Sequence, residues 1–244
     1  MVALTKKEEK LILSLQQKKF RKQEGLFVVE GFKMVEEAIK SDFNLRFIVT
    51  SLEFDFGRVE VKQCTEAVMR KISSLKTPPG VLAVLELPEE QNIKLNEITL
   101  VTDRVQDPGN LGTIIRTAEA LGVNSVVLSE DTVDVFSPKV VQATMGSVFR
   151  MKFLRTELSK FFKENSSVPV YAAHLNGKSL YEEKVKVPCY LLVGNESQGV
   201  SDQLLPFVHH SIKIPMQGEA ESFNVSIATA IILSEFRRQI GQKR

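Results

Sequence analysis

Hydrogen-bonding residues gather in three short stretches of this chain, each joined to an apolar run. They are TDRVQDPGNLGTIIRTAEALG from Thr102, LLVGNESQGVS from Leu191, and IPMQGEAESFNVSIATAIILSEF from Ile214 to Phe236. Glycines let a backbone come close to a ligand, and Asn, Ser and free backbone groups supply oriented hydrogen bonds. Three such lips on strands of one domain point to a small-molecule site. Other site chemistries lack their residues. There is no G-x-x-x-x-G-K-[ST] loop, and GNLG has the wrong spacing for G-x-G-x-x-G. His174, His209 and His210 have neither H-x-x-x-H spacing nor a cysteine partner, which speaks against a metal. The G-x-S-x-G elbow of hydrolases is also missing.

Strands and helices must position these lips, and the chain alternates them twice. In the first half GLFVVEG, LRFIVTS and VLAVLEL read as strands. A basic amphipathic helix built on Leu4, Leu11, Ile12 and Leu15 precedes them, and TPPG breaks a helix over 65–75. The polar stretch PEEQNIKLNE, about 88–97, is a linker. In the second half ITLVTD, SVVLSE, VPVYAAHL, CYLLVGNE and HSIKIP are strands, and NLGTIIRTAEALGV and PKVVQATMGSVF are helices. The last helix, ending in SIATAIILSEF, is apolar nearly all round and expected to be buried. Continuous apolar strands such as YLLVG suit a parallel sheet covered on both faces. The expected architecture is α/β, with ligands at the carboxyl ends of the strands.

Composition sets the outer bounds. The 244 residues suit one large or two smaller domains, 43% hydrophobic and 25% charged, with a net charge of +2. Seven basic against three acidic residues in the first 24 form a local stripe, either a phosphate-binding face or a solvated helix face. Charges occupy the N-terminus where a leader would need an apolar core, and Cys64 and Cys189 form no framework. No apolar run is long enough to span a membrane. A cytoplasmic protein with reduced thiols is expected.

The three segments resemble motifs one, two and three of the SpoU/TrmH family. These are S-adenosylmethionine-dependent RNA 2′-O-ribose methyltransferases of the SPOUT superfamily. SPKVVQATMGSVFR, between motifs one and two, resembles the family as well, so the likeness covers Glu97 to Arg244. KKFRKQEGLFVVEGFKMVEEAI resembles the small substrate-binding domain that many members carry. The resemblance implies an RNA substrate-binding domain over 1–90 and a methyltransferase domain over 97–244. In the latter it implies a deep trefoil knot, a topology that general rules disfavour. It further implies a homodimer acting on tRNA or rRNA, without a metal.

The resemblance also assigns residues. Gly194, Ile214, Met216 and Phe223 fall at cofactor-contacting positions; many relatives have Leu in place of Phe223. Asn110 and Arg116 fall at catalytic positions, although Asn110 can also cap its helix and Arg116 can pair with Glu119. A guanidinium is a poor base, so Arg116 is expected to grip the target phosphate or ribose and polarise the 2′-hydroxyl. Glu196 either orients Arg116, accepts a ribose hydrogen bond or braces the loops. Ser222 and Asn224 flank Phe223 and face the transfer site, with Ser222 a candidate cap of the final helix. The other readings are a non-catalytic RNA-binding or ribosome-assembly factor of the same fold, and a base methyltransferase of the wider superfamily.

Overall fold

Each α/β run builds its own sheet in the computed structural model, which describes residues 2–241 except 55, 58, 90–92 and 94. The middle of the expected linker, 90–92 and 94, therefore lies outside the described residues. The first run comprises β1 (Val2–Ala3), α1 (Lys6–Ser14), α2 (Lys18–Glu24), β2 (Leu26–Glu30) and α3 (Phe32–Lys40). It continues with β3 (Leu45–Thr50), β4 (Val61–Gln63), α4 (Glu66–Ile72) and β5 (Val81–Glu86). Its strands lie in the order β1-β4-β3-β5-β2, with β5 antiparallel to both neighbours. Thr5 starts α1 with a capping box shared with Glu8. Ile12 and Leu15 then meet Val28, Val49, Met69, Leu82 and Val84 in the core.

The basic stripe is thinner in three dimensions than in the sequence. Lys6 pairs with Glu9 at 2.7 Å. Arg21 turns inward, 2% exposed, and its Nη2 lies 2.6 Å from Asp134 Oδ2 while Nη1 donates to Leu15 O at 2.7 Å. Lys7, Lys10, Lys18, Lys19 and Lys22 stay exposed.

The second run opens with β6 (Ile98–Thr102), α5 (Pro108–Ala120), β7 (Ser125–Leu128), α6 (Pro138–Thr144) and β8 (Lys152–Arg155). It closes with α7 (Leu158–Glu164), β9 (Val170–Ser179), β10 (Cys189–Val193), β11 (His210–Lys213) and α8 (Val225–Gly241). Six strands lie in the order β11-β9-β10-β6-β7-β8, and every pair is parallel. All residues of β6 and β10 are buried, as continuous apolar strands in a sheet covered on both faces should be.

The chain divides into two units. One takes in the residues up to Glu89 together with Asp134–Arg150; the other takes in the described residues from Ile93 to Val133 and from Met151 onward. So α6, which follows β7 in sequence, packs in the first unit. Phe136 sets its ring 4.9 Å from Phe27, Phe149 sits 5.3 Å from Phe43, and Arg150 pairs with Glu37.

Two helices differ from their sequence pattern. The expected continuous helix through Phe149 ends at Thr144, because Met145 and Gly146 adopt φ of 51° and 98°; a 3-10 turn follows over Ser147–Phe149. The final helix α8 is not buried all round. Ile227, Ser234 and Arg238 form an exposed stripe, while Ile232, Leu233, Phe236 and Ile240 fill the core. Near its end Arg237 donates to the carbonyls of Leu121 and Gly122 and to Glu97, satisfying the open end of α5.

Candidate active site

Because β6, β10, β9 and β11 are parallel, their carboxyl ends share one edge of the sheet, and the three polar segments leave from that edge. Around them lies a cavity of about 840 Å³. Six of the nine residues singled out from the sequence line it: Gly194, Glu196, Ile214, Met216, Ser222 and Phe223. Asn110 and Asn224 reach it through hydrogen bonds.

Those bonds join all three segments. Asn110 Nδ2 donates to Glu196 Oε1 at 3.0 Å, and Asn224 Nδ2 donates to Asn110 Oδ1 at 2.9 Å. Glu196 also accepts from the backbone N–H of Asp107 at 3.1 Å and of Gln106 at 3.4 Å. Burial alone would push the Glu196 carboxyl up. The bonds from Asn110 and from the backbone of Glu196, Asp107 and Gln106 outweigh that and hold it below the usual carboxylate range. Glu196 is thus an ionised brace whose lone pairs are already engaged.

The helix starts decide what each asparagine can do. The cap of α5 is Asp107, whose Oδ1 accepts from Asn110 N at 2.8 Å, with Pro108 in the first turn. Asn110 therefore has no capping duty. At α8 the cap is Asn224 rather than Ser222: its Oδ1 accepts from Ser226 N at 2.9 Å and from Ser226 Oγ at 2.6 Å. One Asn224 amide thus starts α8 with its oxygen and holds Asn110 with its nitrogen. Ser222 stays exposed at the cavity wall. Arg116 stands apart, on the exposed face of α5. Among the described residues no hydrogen bond or ion pair holds its guanidinium, and six residues from Asn110 amount to roughly 9 Å along the helix.

The second segment is a tight turn packed against its own return. Asn195 and Gly199 exchange backbone hydrogen bonds at 2.9 and 3.0 Å, and Asn195 Oδ1 accepts from Ser197 N and Gln198 N. A Cβ on Gly194 would stand 2.1 Å from the carbonyl carbon of Gly199, so backbone passes where a side chain would be. Asp103, 2% exposed, fastens this turn to β6 by accepting from Ser201 N at 2.7 Å and from Ser201 Oγ. Arg104, held at φ 55°, donates from Nη1 to Gln198 at 2.8 Å. Its carbonyl accepts from Asn195 Nδ2 at 2.9 Å. The sequence reading gave Asp103 and Arg104 no role, although both lie within the first polar segment; the visible signal was an acid closing an apolar strand.

It also missed a wall. β9 pairs with β11 through Ala172↔Ser211 and then Lys178↔Ile212, so residues 173–177 leave the ladder between these pairs. Ala173, His174, Leu175 and Asn176 of this excursion line the cavity, with Leu175 60% exposed. Gly177 lets the strand return, since a Cβ there would lie 2.5 Å from the Ser211 carbonyl carbon.

Comparison with known proteins matches the chain in two successive parts. The pattern of the SpoU rRNA Methylase family matches residues 97–234, and that of an MRM3-like substrate binding domain matches residues 7–83. A 23S rRNA (guanosine(2553)-2′-O)-methyltransferase from Bacillus subtilis is 35% identical over 231 residues, spanning 91% of this chain and 93% of its own. Among solved structures, a TrmH-family protein from Porphyromonas gingivalis superposes with a TM-score of 0.88 at 36% identity, covering 98% of this chain and 100% of that one. An AdoMet-bound rRNA methyltransferase from Sinorhizobium meliloti superposes with a TM-score of 0.85 at 34% identity, covering 98% and 97%.

Proposed function

Because the chain belongs to the SpoU rRNA methylase family, whose pattern its residues 97–234 match, we propose that it transfers a methyl group from S-adenosylmethionine to a ribose 2′-hydroxyl of structured RNA. The observation that carries this reading is the cavity at the strand ends, with its lips tied by the Glu196–Asn110–Asn224 chain. The cavity suits the cofactor: about 840 Å³ falls within the range of small-molecule sites. Ile214, Met216, Phe223 and Leu175 give it apolar walls, and the 194–199 turn gives it exposed backbone. Bound there, the cofactor supplies a methyl group on a sulfonium, which already leaves readily.

The protein's task is then alignment. Gly194, Ile214, Met216 and Phe223 hold the cofactor. Asn110, fixed from both sides by Glu196 and Asn224, and Ser222 at the wall face the ribose. Arg116, with its donors uncommitted, grips the target phosphate or ribose and polarises the 2′-hydroxyl. A substrate phosphate oxygen or a water takes the proton, since Glu196 is spent on its four donors. Nothing in this chemistry calls for a metal. The finer picture we infer is a trefoil-knotted domain over 97–244, a recognition domain over 1–90, and a cytoplasmic homodimer. Membership of the family over 97–234 supports the knot, and the exposed Ile227 of α8 is a side chain that a dimer would cover.

Ribosomal RNA is the first substrate to test, followed by tRNA. The RNA is incubated with methyl-labelled S-adenosylmethionine and digested to nucleosides. Label in a 2′-O-methylnucleoside is expected, lost in Arg116→Ala while cofactor binding stays. Label on a base would make the enzyme a base methyltransferase. No label and no cofactor binding by calorimetry would leave an RNA-binding factor.

A further inference from the structure

The first unit carries a surface that methyl transfer does not use. Strands β2 and β3 both run antiparallel to β5, so the end of β2, the end of β3 and the start of β5 meet at one edge. Phe54 stands there, 46% exposed, with its ring 4.7 Å from Phe56 and 5.2 Å from Phe32. Phe56 is 8% exposed, so one ring of the cluster is anchored while another is offered to solvent. The cluster continues into prolines, since a Cβ on Gly31, beside Phe32, would lie 3.9 Å from Pro79. Next to it is a cavity of about 580 Å³ lined by Leu52, Arg70, Lys76, Pro78 and Pro79.

The wall of this cavity is built rather than loose. Glu30 ends β2 at 5% exposure, a position that a carboxylate takes only when it is paired or hydrogen-bonded. It accepts from Ser74 N at 2.8 Å and from the hydroxyls of Ser73 and Ser74. That fastens the start of the segment carrying Lys76 to Gly80. Gly80, at φ 78°, returns the chain into β5, and its carbonyl accepts from Ser51 N at 2.9 Å.

Resting on the RNA methyltransferase reading, we propose that this surface is a seat for one unpaired nucleotide of the RNA substrate. Its base stacks on Phe54, and Arg70 and Lys76 at the cavity take the adjoining phosphates. An exposed ring held from behind by other rings stacks with any base, and two cations beside it match a phosphate chain. Glu66, which pairs with Arg70 at 3.2 Å, is too exposed to hold that arginine against a phosphate.

The chain has no tryptophan, so Phe54→Trp gives a single reporter at the seat. Purified ribosomal RNA and single-stranded oligo(A) should quench its emission, whereas a fully paired RNA duplex should not. Phe54→Ala and Phe54→Leu should each weaken ribosomal RNA binding roughly 5- to 150-fold, the worth of one stacked base, with S-adenosylmethionine affinity unchanged. Leucine keeps the apolar contact and removes only the π-face, so it separates stacking from packing. Unmoved emission in a Phe54→Trp protein that still binds ribosomal RNA overturns the seat. Wild-type affinity in Phe54→Leu also overturns it and leaves a protein-docking patch as the use of this surface. Both results would leave ribose methylation by the wild-type protein standing; a wild-type protein that binds no RNA overturns that reading and the seat together.

Discussion

At the residue scale, the site rests on a division of labour among three side chains distant in sequence. Glu196 lies 86 positions from Asn110, and Asn224 lies 114 from it. Their types were legible as polar groups on strand ends. Their pairing was not, because hydrogen bonds across such separations leave no local pattern. The bonds say what Glu196 does. Glu196→Gln keeps the shape but replaces one acceptor oxygen with a donor, facing Asn110 and the backbone N–H of Asp107. Methyl transfer should fall on the order of 10²-fold, the cost of a misplaced reacting group, with cofactor affinity within a few-fold of wild type. The pH dependence adds a sign. The fold holds Glu196 below its ordinary value of 4.5, so its ionised form stabilises the protein above that value and the contribution is lost as pH falls through the depressed one. Thermal melts should therefore separate wild type from Glu196→Gln most at neutral pH and converge in acid. A gap that widens in acid would show that the brace works the other way.

At the element scale, long periodic segments were the most legible. Strands β6 and β10 lie where their apolar runs put them, and helix α5 matches the expected NLGTIIRTAEALGV except that it starts two residues earlier, at Pro108, and ends at Ala120. Three others were not: β1 and β4 have two and three residues, too few to show a period, and β8 is the half-polar KFLR with no fully buried residue. The β9 excursion was hidden for another reason. A strand pattern signals where pairing can occur, and residues 173–177 leave the ladder only because β11 shifts register against them. Glycine in the motif-two turn shows the same limit. From sequence, Gly194 was a residue for close approach to a cofactor; in the fold a Cβ added to it would stand 2.1 to 2.3 Å from the backbone of Gly199 and Val200. Backbone atoms cannot rotate away as a side-chain tip can. Gly194→Ala should therefore destabilise by about 3 kcal/mol, a fall in Tm of roughly 6–12 °C for a chain of this size. Gly218→Ala, with nothing within 4 Å of its added Cβ, should melt like the wild type. Equal melting of both variants would mean that the turn opens at little cost.

At the scale of the whole molecule, sequence divides the chain once and the contacts divide it differently. The family pattern runs unbroken through 97–234, yet Asp134–Arg150 belongs to the unit built by the first 89 residues. Periodicity marks the apolar face of α6 but not the partner that covers it, and here the partner is β2, reached across more than a hundred residues. The segment is well bound there. Val140, Val141 and Val148 are at most 1% exposed, Phe136 and Phe149 pack on Phe27 and Phe43, and the buried Arg21 guanidinium needs Asp134. A chain cut to 90–244 would bare those side chains at roughly 1.5–3 kcal/mol for each buried valine, against a total stability of about 5–15 kcal/mol. It would also carry a contiguous apolar patch. The two halves should therefore fail to separate as independent modules. The 90–244 fragment is expected to aggregate or to elute with soluble aggregates, and to lose cofactor binding for lack of a fold rather than for lack of residues. Full-length Arg21→Leu, which removes the partner of Asp134 and the donor to Leu15 O but leaves both units whole, should stay monodisperse with a lowered Tm and intact cofactor binding. Size-exclusion chromatography with thermal unfolding reads both. A fragment that melts cooperatively and binds S-adenosylmethionine like the intact protein would mean that residues 134–150 cling to the first unit without depending on it.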